Sequence, residues 1–233
     1  MIYYDYTILL LLPAVAFSMA AQFMVTSAYG RYAATRNRRG VSGAQAARTV
    51  LDRNGLRDVG VVMVRGRLSD HYDPRKRVVA LSEEVYRGST VAAVSIAAHE
   101  AGHAIQHGEG YMPLAIRSGI APVASVASKC SWVLILLGMF LVNSRYAGFG
   151  PLLFDLGIAL YVAVVLFQGV TLPVEYNASK RARLQIDALG LVPPEDMPGV
   201  RKVLSAAALT YVAAMASAVL TLARLLLIRE RER

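Results

Sequence analysis

At 233 residues the chain is long enough for one soluble domain, or for a small domain joined to a few membrane spans, and too short for several large domains. Hydrophobic residues make up 55% and charged residues 18%, with one cysteine and a mean hydropathy of +0.43, which excludes a disulfide-stapled secreted module and a disordered chain and points to an integral membrane protein. The 25 Lys+Arg against 16 Asp+Glu leave a charge of +9, and because the aromatics do not interleave with the bases, loops obeying the positive-inside rule account for it better than a nucleic-acid partner.

Residues 7–29 carry no charge and suffice to cross a hydrocarbon core of about 30 Å at about 1.5 Å per residue. Asp5 is the only charge before this run, while Arg31, Arg36, Arg38 and Arg39 follow it, so 1–29 reads as an uncleaved membrane anchor. Segment 30–118 is the most polar part of the chain. In it, 41–56 predicts a short helix with Ser42 as N-cap and Gly55 past its end. Two β-branched runs, 59–64 and 78–81, predict strands of a small sheet, separated by a turn-forming stretch with Pro74. Residues 90–107 lack proline, follow a serine and precede Gly108, which predicts a helix of about five turns.

Three further apolar runs follow at 119–142, 151–172 and 203–228, the last interrupted by Arg224. The connection 143–150 is short, so the first two form an antiparallel hairpin (119–172) that returns the chain to the side it left. The last run either crosses or lies against the bundle, ahead of a charged tail (203–233). Cys130 lies inside an apolar run, where a thiol packs as a small hydrophobe. Fourteen Lys/Arg in 30–118 and five in 173–202, against Arg145 in the turn, put both long segments on the cytoplasmic face. The expected fold is a mainly α membrane protein of about four transmembrane helices with a small cytosolic α+β element.

The 90–107 helix holds His99, Glu100, Ala101, Gly102 and His103, the HExxH pattern. Histidines four apart stand on one helix face, about 6 Å along the axis, and can converge on one tetrahedral zinc. Glu100, about 100° around the axis, borders that site and can take a proton from a metal-activated water. His107 lies eight residues, about 12 Å, from His99, too far to share an ion with both when zinc–nitrogen bonds are about 2.1 Å. It is either a polar helix end favoured by the negative pole of the dipole or a residue that touches substrate or a ligand. The longer metzincin pattern fails, since Gln106 and Glu109 stand where its glycine and third histidine belong. Another ligand is required. Segment 173–202 supplies it: Glu175, just past an apolar span, is costly there unless solvated or paired, and the hairpin brings it back to the face of His99 and His103. The competing reading of Glu175 is an interfacial carboxylate paired with Lys180 or Arg181. Arg117, Arg181 and Arg183 read as headgroup contacts, and Tyr211 reads as a packing aromatic.

HEAGHAIQH, the upstream DHYDPRKRVVALSEEVY, the downstream TLPVEYNASKRA and AALTYVAA together resemble the YugP-type neutral zinc metallopeptidases of bacterial membranes, over nearly the whole chain. EYNAS is similar to the ExxAD element of HtpX-type membrane proteases, and that likeness implies Glu175 as third zinc ligand and a zincin-like element around 30–118. Ser179 stands where those proteases have an aspartate that steadies a zinc histidine; Asn177 or Asp187 are alternatives for that duty. The resemblance also draws attention to 70–73 before the 78–81 strand: either a plain turn, or the flank of a strand that edges the cleft and binds an extended peptide, with His71 or Tyr72 steadying the oxyanion. It implies one zinc ion per chain, peptide or protein substrates, membrane proteins among them, and a multi-pass location in the bacterial inner membrane. Two rivals remain. A non-catalytic metal-binding adaptor or chaperone has no use for Glu100, and a metal transporter predicts more ionisable residues in the spans than Lys129, Asp155 and Arg224.

Overall fold

A computed structural model describes residues 6–141 and 147–231; Asp5, Arg145 with the first half of the 143–150 connection, and Glu232 and Arg233 of the tail lie outside the described residues. Among the described residues the chain is mainly helical with one three-stranded sheet. The elements are α1 (Leu12–Ala33, led by a 3-10 turn Tyr6–Leu11), α2 (Gly43–Arg53), β1 (Gly60–Val64), β2 (His71–Asp73), β3 (Val78–Ser82), α3 (Glu83–Arg87), α4 (Val91–Gly108), α5 (Met112–Leu141), α6 (Gly150–Ala188) and α7 (Met197–Arg231). Four helical segments, Tyr6–Ala33, Met112–Leu141, Gly150–Ala188 and Pro194–Glu230, are long and apolar enough to cross a membrane, the last of them included. The protein is therefore a mainly α membrane protein with a small α+β element.

Contacts divide the chain into two units. The first comprises 1–20, 116–172 and 211–233. Its buried cluster is Ile135, Phe154, Ile158, Tyr161 and Leu225, while Val123, Leu136, Phe140, Leu152 and Leu166 face outward, as a lipid-facing surface requires. Gly138 and Gly157 admit close helix contact: a methyl on Gly138 would lie 2.7 Å from the Phe154 amide nitrogen, and one on Gly157 would lie 2.6 Å from Ile135 Cγ1. Asp155 is paired with Arg229, and Arg224 donates to the Thr7 hydroxyl at 3.3 Å, so charged groups on these helices have partners.

The second unit, 21–115 and 173–210, holds the sheet, α2, α3 and α4. Ser42 caps the start of α2, as the sequence predicts, and with Gln45 it forms a reciprocal capping box. In the sheet, β3 is central, parallel to β1 and antiparallel to β2. This corrects the expectation for 70–73 and 78–81. The 78–81 strand has neighbours on both sides and offers no open edge; His71–Asp73 is itself a strand, and it forms one edge of the sheet, β1 the other. Pro74 and Asp73, whose carboxylate accepts from the Arg75 and Lys76 amides, turn the chain only after that strand.

α4 packs on α2 and on the sheet through a row of small residues, Ala93, Ala97, Ala98, Ala101 and Ala104. Its N-cap is Thr90, which accepts from the Ala93 amide, whereas the Ser89 carbonyl accepts from Asn37. The stop is also later than expected. Gly110 adopts φ +66°, its amide donates to the His107 carbonyl and that of Tyr111 to Gln106, a Schellman closure, while a methyl on Gly108 would meet the Leu56 side chain at 2.8 Å. α6 runs unbroken through Pro173, past the end of the apolar run 151–172, so Glu175 sits within one long helix. The carbonyl that loses its helical partner to Pro173 belongs to Gly169.

Candidate metal centre

The pair of small residues inside the motif decides how close α4 and α6 approach. A methyl on Gly102 would lie 2.8 Å from the Ala178 carbonyl oxygen and 3.4 Å from its Cα, so a side chain there would force the two backbones apart. Ala98 and Ala101 on α4, and Val174, Ala178 and Ala182 on α6, are completely buried. Glu175 lies one turn before Ala178, and this contact sets its carboxylate over both imidazoles. Glu175 Oε2 is 3.2 Å from His99 Nε2 and 3.5 Å from His103 Nε2. The rings meet edge to face with centroids 4.8 Å apart. One ligand atom from each of the three residues lies within 4.8 Å of the others.

Burial makes this convergence costly unless it is satisfied. Glu175 is 1% exposed and His103 7%, and a carboxylate that far from water needs donors or a cation. The outer ring nitrogens are held as well: Ser179 Oγ is 3.2 Å from His99 Nδ1, and Gln106 Oε1 is 3.0 Å from His103 Nδ1. Gln106 Nε2 donates to the Val174 carbonyl at 2.8 Å and to Asn177 Oδ1 at 2.9 Å, two pure acceptors, which fixes the amide's orientation. Its oxygen must then face His103. Nδ1 of His103 carries the hydrogen, and in the neutral ring the lone pair is on Nε2, on the side of Glu175. Two imidazole nitrogens and one carboxylate oxygen, their outer atoms engaged and inner atoms converging, fit the donor set of a zinc site with three protein ligands and an open fourth position.

Electrostatics couple Glu100 to this group. Burial opposes a charge on His103, but its hydrogen bond to the Glu175 carboxylate and the charges of Glu100 and Glu175 outweigh that cost and raise its pKa above the ordinary histidine value. Among the described residues Glu100 itself is half-buried and makes no hydrogen bond or ion pair.

Of the residues the sequence singled out, His99, His103, Glu175 and Ser179 are brought together. Asn177 reaches the group through Gln106, and Asp187 bonds to neither histidine. Tyr72 and His107 form a separate pair, hydroxyl to Nδ1 at 2.8 Å, while exposed His71 turns to the Ser69 carbonyl. Arg181, read from the sequence as a headgroup contact, donates to Asn177 at 2.7 Å and pairs with Glu109 at 2.7 Å. Sequence reasoning missed Gln106 and Gly102. Gln106 follows His103 by three residues, one turn on the same helix face, and that spacing is the signal that would have found it.

A family model described as "Putative neutral zinc metallopeptidase" matches residues 7–230. A relative from Bacillus subtilis (strain 168), named "Putative membrane protease YugP", is 47% identical over 221 residues, covering 95% of this chain and 95% of its own length. No solved structure matches.

Proposed function

The chain belongs to the family described as neutral zinc metallopeptidases, and from that premise we propose that it is a membrane-embedded endopeptidase holding one zinc ion on His99, His103 and Glu175, with Glu100 as general base. The observation that carries this reading is the convergence of three ligand atoms from α4 and α6, those of His103 and Glu175 buried and that of His99 partly so, with Glu100 beside His103 and unengaged. A zinc ion held there supplies Lewis acidity, which acidifies water and polarises a peptide carbonyl. Glu100 takes the proton of the attacking water and passes it to the leaving amine. Glu175 and the two imidazoles, fixed by Ser179 and Gln106, keep the donor set in place through turnover. The open edge of β2 receives the substrate backbone as an added strand, with Tyr72 and His107 at its side. Substrates are peptides or proteins, including damaged membrane proteins. The base-rich segments 30–118 and 173–202, which contribute nearly all of the unit that contains the three ligands, support a cytoplasmic site on the bacterial inner membrane.

Wild type and Glu100→Gln purified in detergent test this directly. Equal zinc content with cleavage of an unfolded protein reduced about 10²- to 10⁴-fold is expected. Equal cleavage by both overturns the mechanism, and zinc with no cleavage by either favours the adaptor.

A further inference from the structure

Beside the metal centre, the same unit contains a cavity of about 580 Å³ between α6 and α7 that includes none of the three ligands. Its lining changes character along its length. Pro173, Leu204 and Ala208 form one end; Pro173 follows directly on the apolar run 151–172 of α6, and Leu204 and Ala208 begin the apolar run of α7. Lys180 and Arg183, two and three turns further along α6, and Arg201, one turn earlier on α7, form the other end. All three cations are exposed, and none forms an ion pair with a carboxylate among the described residues, unlike neighbouring Arg181. Three unpaired like charges around one concavity repel one another, and an anion seated among them removes that repulsion. An apolar end continuous with membrane-spanning helices and a cationic end about 15 Å along α6 match an amphiphile with an anionic head.

We propose that this cavity binds the phosphate headgroup of an anionic phospholipid, with Lys180, Arg183 and Arg201 on the phosphate and the start of an acyl chain against Pro173, Leu204 and Ala208. The headgroup then lies next to Ser179 and Asn177, which also line the cavity and support His99 and Gln106. Free phosphate offers the same chemistry to the cations but leaves the apolar end unfilled.

The test uses the full chain in a neutral detergent, titrated with phosphatidylglycerol, phosphatidylcholine, inorganic phosphate or an acidic peptide, with binding read by native mass spectrometry and by thermal melting. Phosphatidylglycerol is expected to bind and raise the melting temperature, and phosphatidylcholine to do so far more weakly. Arg183→Ala and Arg201→Ala should each weaken the phosphatidylglycerol affinity about fivefold, and the triple change with Lys180→Ala on the order of a hundredfold. Zinc content and melting without lipid verify that the variants fold. A matched triple change of exposed bases outside the cavity, Arg53, Arg65 and Arg75 to alanine, should leave the affinity unchanged. Equal loss in that control, or equal binding of the two lipids, overturns the proposal. Inorganic phosphate matching phosphatidylglycerol at equal concentration reassigns the cavity to a free anion, and displacement of lipid by the acidic peptide reassigns it to substrate; either outcome sinks the lipid site.

Discussion

In the first unit, the buried hydroxyls of α5 and α6 bond to their own helix, Thr171 to the Phe167 carbonyl and Ser131 to that of Ser128, while Thr7 accepts from Arg224 of α7. In the second, His103, Gln106 and Glu175 bond between α4 and α6, across about seventy residues of sequence. The difference has a physical origin. A polar group satisfied within its own turn places no demand on any neighbouring helix, so helices packed by apolar contact and small residues can adjust around it. A buried group whose partner lies on another helix is satisfied in one register only, because losing the partner strands it away from water. The apolar unit needs small residues to let helices touch; the other unit needs them to fix atoms relative to one another.

The sharpest way to break this contrast is to delete one buried polar group of each kind. Glu175→Ala should reduce zinc from one ion per chain to near none, measured by atomic emission on purified protein, and cleavage should fall to background. Thr171→Ala, one turn earlier on the same helix and bonded only within it, should leave both unchanged. If zinc survives in Glu175→Ala, the ligand set is wrong even if the activity is peptidase.

The glycines give a second, smaller comparison. Gly102→Ala sets a methyl against the Ala178 backbone and should cost about 1–3 kcal/mol of stability, with a measurable loss of zinc affinity because Glu175 moves with its helix. Gly157→Ala meets Ile135 at 2.6 Å and should destabilise by a similar amount while zinc affinity stays at the wild-type value. Similar zinc loss in both would mean the first unit also sets the ligand geometry. Below these stands Gln106→Ala, which frees the His103 ring and should weaken zinc binding by about 10- to 100-fold without unfolding the protein; chelator competition at fixed pH measures it.

These residues also mark what the sequence could and could not disclose. The spans and the paired histidines were legible because each rests on a local rule: apolar length for the former, a four-residue helical repeat for the latter. Glu175 was legible because a carboxylate beside an apolar run is expensive and asks for a partner. Gln106 was not, since an amide on a helix face is ordinary until Val174 and Asn177 are known to hold its other end. The strand at His71–Asp73 was hidden by its own composition: three residues ending in Asp73, between Asp70 and Pro74, read as a turn, and pairing with β3 overrode that preference. The continuity of α6 through Pro173 was hidden for the same reason, a local breaker overruled by packing on both sides of it.

The finest effect concerns pH and joins Glu100, the proposed base, to His103, the proposed ligand one turn away. Zinc must displace the proton from His103, whose pKa is raised above the ordinary histidine value by Glu175 and Glu100 despite burial. Below that raised pKa, apparent zinc affinity should fall about tenfold per pH unit as the proton competes for Nε2. The sign for the metal-free protein is opposite: the protonated ring adds stability that is fully present below the unfolded histidine pKa and is lost as pH rises through the folded one. Glu100→Gln removes one of the charges that raise it. The variant should therefore keep zinc to a lower pH than wild type while having lost cleavage, and without metal it should lose less stability as pH rises above the ordinary histidine value of about 6.5. Chelator competition across pH checks the first, and melting of the chelated proteins the second. Superimposable curves for variant and wild type would show that the Glu100 charge is not felt at His103, and that the base acts on water without any bearing on the ligand one turn away.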